Sequence, residues 1–214
     1  MIKAIIFDMD GLMIDSERVT FEGYQHVLKD LDLTITEDFY KTLLGKTLKN
    51  VYELFYKEYG EDLDIENIIK KVHEYMAKRF ENEGVPLKKG LIELLDYLKN
   101  NNYKTIVATS SNRDRVNVIL RLADIEKYYD DSICGDEVSK GKPNPEVFLR
   151  ACQKLNVDPS EAIVLEDSEA GILAAKNAGI KVICIPDMKY PEPQYEEMTY
   201  KVLEDLSQVI EILK

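Results

Sequence analysis

The sequence predicts an α/β fold: a Rossmann-like parallel sheet core with helices on both faces, plus an inserted all-helical cap domain. Three observations indicate this fold. A short apolar run over residues 3–7 stops at two aspartates, residues 16–86 carry only helical periodicity, and the chain from residue 87 alternates short apolar runs with amphipathic segments. Strands that alternate with helices form parallel sheets, because joining parallel neighbours requires a crossover connection.

The strand predicted over residues 3–7 has no neighbouring strand in sequence, so it must pair with strands that come much later. The helical stretch therefore leaves the core and returns to it. We assign residues 1–15 and 87–214 to a core domain and residues 16–86 to a helical cap domain. Such a cap could exclude water and select the substrate. The alternative is a stabilising helical layer that does not move.

Each further element is predicted from the spacing of its apolar residues. Three apolar faces predict three cap helices: Val19, Val27, Leu28 and Leu31; Leu48, Val51, Tyr52 and Phe55; and Ile65, Ile68, Ile69, Val72 and Met76. Gly84-Val85-Pro86 ends the last one, and a further helix passes through Leu91, Leu94, Leu95 and Leu98. In the core we predict strands over 105–108, 132–134, 162–165 and 181–185, with helices through 116–120 and over 145–155 and 169–178.

Composition and charge restrict the partners of the chain. A formal net charge of −12 over 214 residues repels nucleic-acid backbones and anionic membrane surfaces, so we expect neither as a partner and a monomer as the default state. Local positive charge could still hold one small anion. Cys134, Cys152 and Cys184 lie in apolar patterns and are odd in number, which predicts reduced core thiols. With no basic and apolar leader at the start of the chain, we expect a cytoplasmic protein.

Asp8 and Asp10 directly follow the first predicted strand. In an open parallel sheet, ligands bind in the crevice beyond the carboxyl ends of the strands. Two carboxylates this close repel each other unless a cation lies between them, and their hard oxygen atoms suit Mg²⁺. A metal-neutralised aspartate can also act as a nucleophile. The alternative is a turn in which these residues and Gly11 only form the loop.

Three more polar clusters end strands of the predicted sheet. Residues 109–112, Thr-Ser-Ser-Asn, precede a helix, where they could bind phosphate or simply cap that helix. Lys142 could supply a fixed positive charge to a phosphoryl group or remain a solvated lysine. Glu166 and Asp167 could complete a magnesium site with the first aspartate or cap the next helix.

The motifs occur together in one chain: Phe7-Asp8-Met9-Asp10-Gly11, Asp15-Ser16, Thr109-Ser110, Gly141-Lys142-Pro143-Asn144-Pro145-Glu146 and Leu165-Glu166-Asp167-Ser168-x-Ala170-Gly171. Through this combination, essentially the whole chain resembles the haloacid dehalogenase superfamily, and specifically its β-phosphoglucomutase-like phosphatases with a helical cap. The resemblance implies a Mg²⁺-dependent phosphatase that hydrolyses a small phosphorylated metabolite, a sugar or polyol phosphate, through an aspartyl-phosphate.

The resemblance also implies roles for the core residues. Asp8 would be the nucleophile, and Asp10 would act as the general acid and then as the base that activates water. Thr109 and the backbone of Ser110 would hold the phosphoryl oxygens, while Lys142 would neutralise charge between the nucleophile and the phosphate.

The implied metal ligands are Asp8, the carbonyl of Asp10 and Asp167, with Glu166 acting mainly through bound water. In the cap, the resemblance leaves substrate contacts open. Lys46 and Thr47 lie in a predicted loop between cap helices, so we expect them to contribute to specificity.

Two alternatives to a phosphatase stay open. A sugar phosphomutase uses the same core, but it carries a histidine and an arginine in the cap at positions that correspond here to Thr20 and near Leu48. These departures favour hydrolysis. The second alternative is a binding or regulatory protein without turnover, and it is disfavoured because no expected catalytic residue is missing.

Overall fold

A computed structural model describes residues 1–214, and its strands form one sheet of six parallel members. The strands are β1 (Ala4–Phe7), β2 (Lys104–Ala108), β3 (Asp131–Ile133), β4 (Ala162–Glu166), β5 (Lys181–Cys184) and β6 (Lys201–Val202). They lie side by side in the order β3-β2-β1-β4-β5-β6. The first strand therefore pairs with two strands from the later part of the chain, and the predicted parallel sheet is confirmed.

The chain has ten α-helices. They are α1 (Ser16–Lys29), α2 (Glu37–Leu43), α3 (Leu48–Tyr59), α4 (Ile65–Glu83), α5 (Leu91–Asn100), α6 (Arg113–Leu122), α7 (Glu146–Leu155), α8 (Glu169–Asn177), α9 (Pro193–Glu196) and α10 (Val209–Leu213). The chain forms two compact units: a sheet unit of Met1–Asp15 with Val85–Lys214, and a helical unit of Ser16–Gly84. None of the helices is both long and apolar enough to cross a membrane.

The sheet unit buries both faces of its central strand. Ala4 and Ile6 lie in a core that includes residues of α7 and α8, such as Phe148 and Ile172. The intervening residue Ile5 is equally buried, and α5 packs against the neighbouring strand β2. Since successive side chains of a strand point to opposite faces, a strand covered on both sides has a continuous apolar sequence. The predicted helices on both faces are confirmed.

The helical unit is held together by its apolar faces and by aromatic contacts. Helix α1 packs along α4, and the rings of Tyr24 and Phe39 lie 5.4 and 5.5 Å from that of the fully buried Phe55. The unit has four helices instead of the predicted three, because the seven residues of α2 are too few to display a clear apolar face. Two predicted face residues are also wrong. Leu31 is 48% exposed because α1 has ended and the chain turns at Asp32, whose φ is 56°. Leu48 is the first residue of α3 and is 58% exposed.

Several details of the sheet unit differ from the prediction. Helices α9 and α10 were not predicted, because four and five residues are too few to display an apolar face. Strand β6 was not predicted, because two residues are too short to display a strand period. Strand β3 ends at Ile133, so Cys134 follows the strand instead of lying in it. Cys134, Cys152 and Cys184 are nevertheless all buried and unpaired, as expected.

Candidate active site

The site forms where three adjacent strands end together. Phe7 of β1 is in register with Val107 of β2 and Leu165 of β4. Because the strands are parallel, the residues that follow them emerge at one edge of the sheet. Asp8 continues the ladder through its backbone N–H, which donates to the Leu165 carbonyl over 3.0 Å, and Thr109 does the same to β3 over 3.1 Å. The register therefore brings the predicted polar clusters to one edge.

Lys142 lies between two carboxylates at this edge. Its ammonium donates to Oδ1 of Asp8 over 2.5 Å and to Oε1 of Glu166 over 2.7 Å. The exposed fractions of the three side chains are 6% for Lys142, 10% for Asp8 and 0% for Glu166. Charges this deeply buried must be paired to remain ionised. The alternative of a solvated lysine is therefore wrong.

Burial and charge oppose each other in this cluster. Burial raises the pKa of Asp8 to about 7, although the positive charge of Lys142 acts to lower it. For Lys142, burial lowers the pKa, but the attraction of Asp8 and Glu166 outweighs it and leaves the pKa above its ordinary value. Lys142 thus keeps its charge at neutral pH and favours the ionised form of Asp8.

The loop that carries Lys142 is tied to the start of α7. The two carboxylate oxygens of Glu146 accept hydrogen bonds from the backbone N–H groups of Ser139 (2.9 Å) and Lys140 (3.1 Å). Oδ1 of Asn144 in turn accepts from the Glu146 N–H over 3.1 Å. These bonds fix the backbone on both sides of Lys142 and so restrict where its ammonium can lie.

Glu166 uses both carboxylate oxygens within the protein. Its Oε1 accepts from Lys142, and its Oε2 accepts from the backbone N–H groups of Asp167 (2.9 Å) and Ser168 (2.8 Å) and from the Ser168 hydroxyl (2.9 Å). Glu166 therefore organises the loop that presents Asp167. Its role toward a metal stays a prediction.

Asp167 lies against the first loop of the site. A β-carbon built on Gly11, whose φ is 79°, would overlap the Asp167 carboxylate, so only glycine leaves room for it. No group of three or more His, Cys, Asp or Glu side chains is arranged to hold a metal by itself. The expected set differs from such a cluster, because it combines two carboxylates with one backbone carbonyl. The close approach of Asp167 to this loop and the all-oxygen donor set fit a hard divalent cation.

Asp10 is held by two residues that follow β2. The Ser111 hydroxyl donates to its Oδ2 over 2.7 Å, and the Arg115 guanidinium donates to its Oδ1 over 2.6 Å. Arg115 was not among the residues predicted for the site. The sequence signal that could have identified it is its position in the first turn of a helix that follows a predicted phosphate-binding loop, because helical side chains lean back toward the N-terminus.

The loop after β2 caps the helix that follows it, which is one of the two roles that its sequence allowed. Asn112 caps α6, since its Oδ1 accepts from the backbone N–H of Arg115 over 2.9 Å. Thr109 is buried, and its Oγ1 accepts from the Ser111 N–H over 3.1 Å. Ser110 is exposed. After β4, the capping residue is Ser168, which caps α8. Phosphate binding by Thr109 and Ser110 stays a prediction.

The candidate substrate residues of the helical unit occupy one exposed turn. Thr47 caps α3 by accepting from the Asn50 N–H over 3.3 Å, and Lys46 precedes it. Thr20, at the position of the mutase histidine, donates its hydroxyl to the Ser16 carbonyl over 2.8 Å. A substrate role for Lys46 and Thr47 stays a prediction.

Comparison with known proteins identifies the family. Residues 5–185 match the model of the haloacid dehalogenase-like hydrolases. The chain is 36% identical over 181 residues to a phosphorylated carbohydrates phosphatase of Thermotoga maritima, with 85% of this chain and 83% of that protein covered. It is 31% identical over 186 residues to the β-phosphoglucomutase of Bacillus subtilis, with 83% and 80% covered.

The fold agrees with these relationships. A crystal structure of a Thermotoga maritima protein, provisionally assigned as a β-phosphoglucomutase, superposes with a TM-score of 0.83 at 31% identity, and covers 99% of this chain and 98% of that one. The residues brought together at the strand ends are those whose motifs suggested the resemblance. The chain therefore belongs to the haloacid dehalogenase-like hydrolase family.

Proposed function

We propose that this protein is a phosphatase that hydrolyses a small phosphorylated metabolite through an aspartyl-phosphate on Asp8. The observation that supports this most is the buried contact between Asp8 and Lys142, at 2.5 Å. Phosphoryl transfer depends mainly on positioning and on neutralising charge. A fixed cation beside the nucleophile supplies both. It holds the Asp8 carboxylate in place, and its charge lowers the repulsion between that carboxylate and an incoming phosphate.

In the first step, an oxygen of Asp8 attacks phosphorus and forms an acyl phosphate, while the bond from phosphorus to the ester oxygen breaks. Asp10 gives a proton to that departing oxygen, which leaves as an alcohol. Thr109, the backbone of Ser110 and Lys142 hold the phosphoryl oxygens during the transfer.

In the second step, Asp10 takes a proton from water, and the resulting hydroxide attacks phosphorus. The bond from phosphorus to the Asp8 oxygen breaks, so inorganic phosphate is released and the free carboxylate is regenerated. The same carboxyl thus serves as acid and then as base, and each turnover returns it to its starting state.

A divalent cation fits this scheme, and we propose Mg²⁺ because the donors are carboxylate and carbonyl oxygens. Asp8, Asp167 and the carbonyl of Asp10 would hold it. When bound, the ion would neutralise charge on the transferring phosphoryl group.

We propose a sugar or polyol phosphate as substrate and the cytoplasm as location. The substrate class is supported by the similarity to a phosphatase of phosphorylated carbohydrates and to a β-phosphoglucomutase. Lys46 and Thr47 lie in the cap domain that we assign to residues 16–86, and they would contribute to the choice among such esters. The three unpaired cysteines support a reducing compartment.

Sugar phosphomutase activity is the second candidate, favoured by the similarity to the Bacillus subtilis enzyme. Thr20 weighs against it, because a threonine cannot provide the imidazole that the mutases carry at this position.

The test measures phosphate release from a panel of sugar and polyol phosphates, with Mg²⁺ and then with EDTA. We expect release that depends on Mg²⁺ and is highest for a few substrates. Isomer interconversion, primed with a hexose bisphosphate and without net phosphate release, would instead support the mutase.

A further inference from the structure

The carboxylate of Asp10 is oriented from two directions. The Ser111 hydroxyl donates to one oxygen over 2.7 Å, and the Arg115 guanidinium donates to the other over 2.6 Å. Ser111 belongs to the loop after β2, and Arg115 belongs to the first turn of α6. Two contacts of this kind restrict the rotation of the carboxylate about both of its side-chain bonds.

Both donors are themselves fixed by the loop. The Ser111 N–H donates to Oγ1 of Thr109 over 3.1 Å, and the Arg115 N–H donates to Oδ1 of Asn112 over 2.9 Å. Side chains in a helix lean toward its N-terminus. The Arg115 side chain therefore runs back along the loop and reaches Asp10, so the loop and the helix start act as one support.

The ion pair between Asp10 and Arg115 contributes too little to the stability of the fold for stabilisation to be its main role. The side chains are 26% and 31% exposed, and ion pairs with this much exposure contribute little to the free energy of unfolding. Orientation has a larger effect, because proton transfer requires the acid to lie within hydrogen-bond reach and in line with the oxygen that receives the proton.

We propose that Arg115, together with Ser111, is a positioning residue that sets the direction of the Asp10 carboxyl toward the leaving oxygen. This inference rests on the proposed phosphatase function, which gives Asp10 its part in proton transfer. Arg115 acts through Asp10, so its loss affects a step only where Asp10 moves a proton. An alkoxide leaving group needs that proton, whereas p-nitrophenolate leaves readily without it.

The experiment compares kcat/KM for an alkyl phosphate, glycerol phosphate or the best sugar phosphate, with kcat/KM for p-nitrophenyl phosphate. This ratio reports the first transfer step. In Arg115→Ala we expect a loss of about tenfold or more for the alkyl ester and a loss of about threefold or less for the aryl ester, since positioned acids contribute roughly 10²–10⁴-fold. Arg115→Lys should recover part of the loss. Arg121→Ala, an exposed arginine on the same helix, is the matched control and should match the wild type.

Two further readouts separate positioning from other roles. In an Asp10→Asn background, Arg115→Ala should cause no additional loss. A crystal structure of Arg115→Ala should show the Asp10 carboxylate turned away from its present direction, whatever the activity.

Equal losses for both esters, an additive loss in the Asp10→Asn background or an unmoved carboxylate would overturn the inference. A rise in KM confined to substrates with a second anionic group would assign Arg115 to substrate binding instead. If the wild-type protein releases phosphate from neither ester class, the proposed function itself fails, which is a different result from an active wild type with an unaffected Arg115→Ala variant.

Discussion

Gly171 of α8 provides the space in which the Glu166 carboxylate lies. A β-carbon at position 171 would overlap Oε1, Oε2 and the carboxyl carbon of Glu166. Glu166 is fully buried and accepts the hydrogen bond from Lys142, so it has no room to move aside. Because Gly171 has no side chain, the Glu166 carboxylate can lie against α8 and reach Lys142 at the candidate active site.

Gly171→Ala should therefore destabilise the protein, although glycine to alanine usually stabilises a helix. We expect the free energy of unfolding to fall by about 2 kcal/mol, as in other overpacked cores, and phosphatase activity to fall with it. Urea unfolding measures the first effect. Gly141→Ala is the control, because a β-carbon there meets no atom within 4 Å, and its stability should stay within about 0.5 kcal/mol of the wild type. A Gly171→Ala protein of unchanged stability would contradict the steric argument.

Lys142→Met should leave Asp8 and Glu166 buried without their cation. We expect a loss of about 3–5 kcal/mol in the free energy of unfolding, as when one partner of a buried ion pair is removed. The kcat should fall by about 100-fold or more, because the charge beside the phosphoryl group is lost. Chemical unfolding and phosphate release measure the two effects.

A second substitution separates these effects. Adding Glu166→Gln to Lys142→Met removes one of the two repelling charges, so stability should partly recover while activity should not. Lys154→Met is the control for an ion pair that is 38% exposed on its lysine side, and it should change stability little. A folded Lys142→Met protein with the wild-type kcat would exclude a catalytic role for Lys142.

Asp167→Ala should raise the concentration of Mg²⁺ needed for half-maximal activity. We expect an increase of about tenfold or more, because a ligand that contacts the ion directly contributes at least as much as its supporting residues. The measurement is a Mg²⁺ titration of phosphate release, with Asp62→Ala, an exposed aspartate of the helical unit, as control. An unchanged Mg²⁺ dependence would remove Asp167 from the proposed metal site.

The sheet unit should lose stability in acid through Asp205. A hydrogen bond from Lys89, followed by one from the Ser207 hydroxyl, holds the pKa of Asp205 below its ordinary value. A lowered pKa in the folded state means that the stabilisation is complete at pH above the pKa of the unfolded chain and disappears as the pH falls through the folded pKa.

In Asp205→Asn, the free energy of unfolding should therefore depend less on pH in the acid range. At neutral pH we expect the free energy of unfolding to fall by no more than about 1 kcal/mol, because asparagine can still accept the Ser207 N–H but loses the ion pair with the exposed Lys89 ammonium. The difference between the two proteins should shrink below the ordinary aspartate pKa. Urea unfolding from pH 7 to pH 3 measures it. A difference that stays constant over this range would show that the carboxylate charge is not the cause.

The sequence was sufficient to predict the sheet and the strand-end clusters, because parallel strands place the residues after them at one edge whatever the details of packing. The burial of Lys142 was harder to predict. It depends on Glu166, which lies 24 residues later, and on the hydrogen bonds from the loop backbone to Glu146. Nothing in the local sequence distinguishes this lysine from a solvated one.

Other features depend on contacts that no periodicity encodes. The contact between Arg115 and Asp10 joins residues that are 105 positions apart, and an arginine in a first helical turn is ordinarily a surface residue. The exposure of Leu31 was mispredicted because apolar spacing continues past the end of α1 at Lys29. Periodicity identifies a helix face well, but it does not indicate where the backbone leaves the helix.

The central claim is that Asp8 becomes phosphorylated, and the most direct measurement is acid quenching during turnover followed by mass spectrometry of the peptides. Asp10→Asn with p-nitrophenyl phosphate is the best condition, since the first step needs no acid and the second lacks its base. We predict one phosphoryl group on the peptide that contains Asp8, and none on that peptide in Asp8→Asn. We also predict a burst of p-nitrophenol equal to the enzyme concentration. Continued phosphate release by Asp8→Asn, or a phosphoryl group on a different residue, would contradict the account.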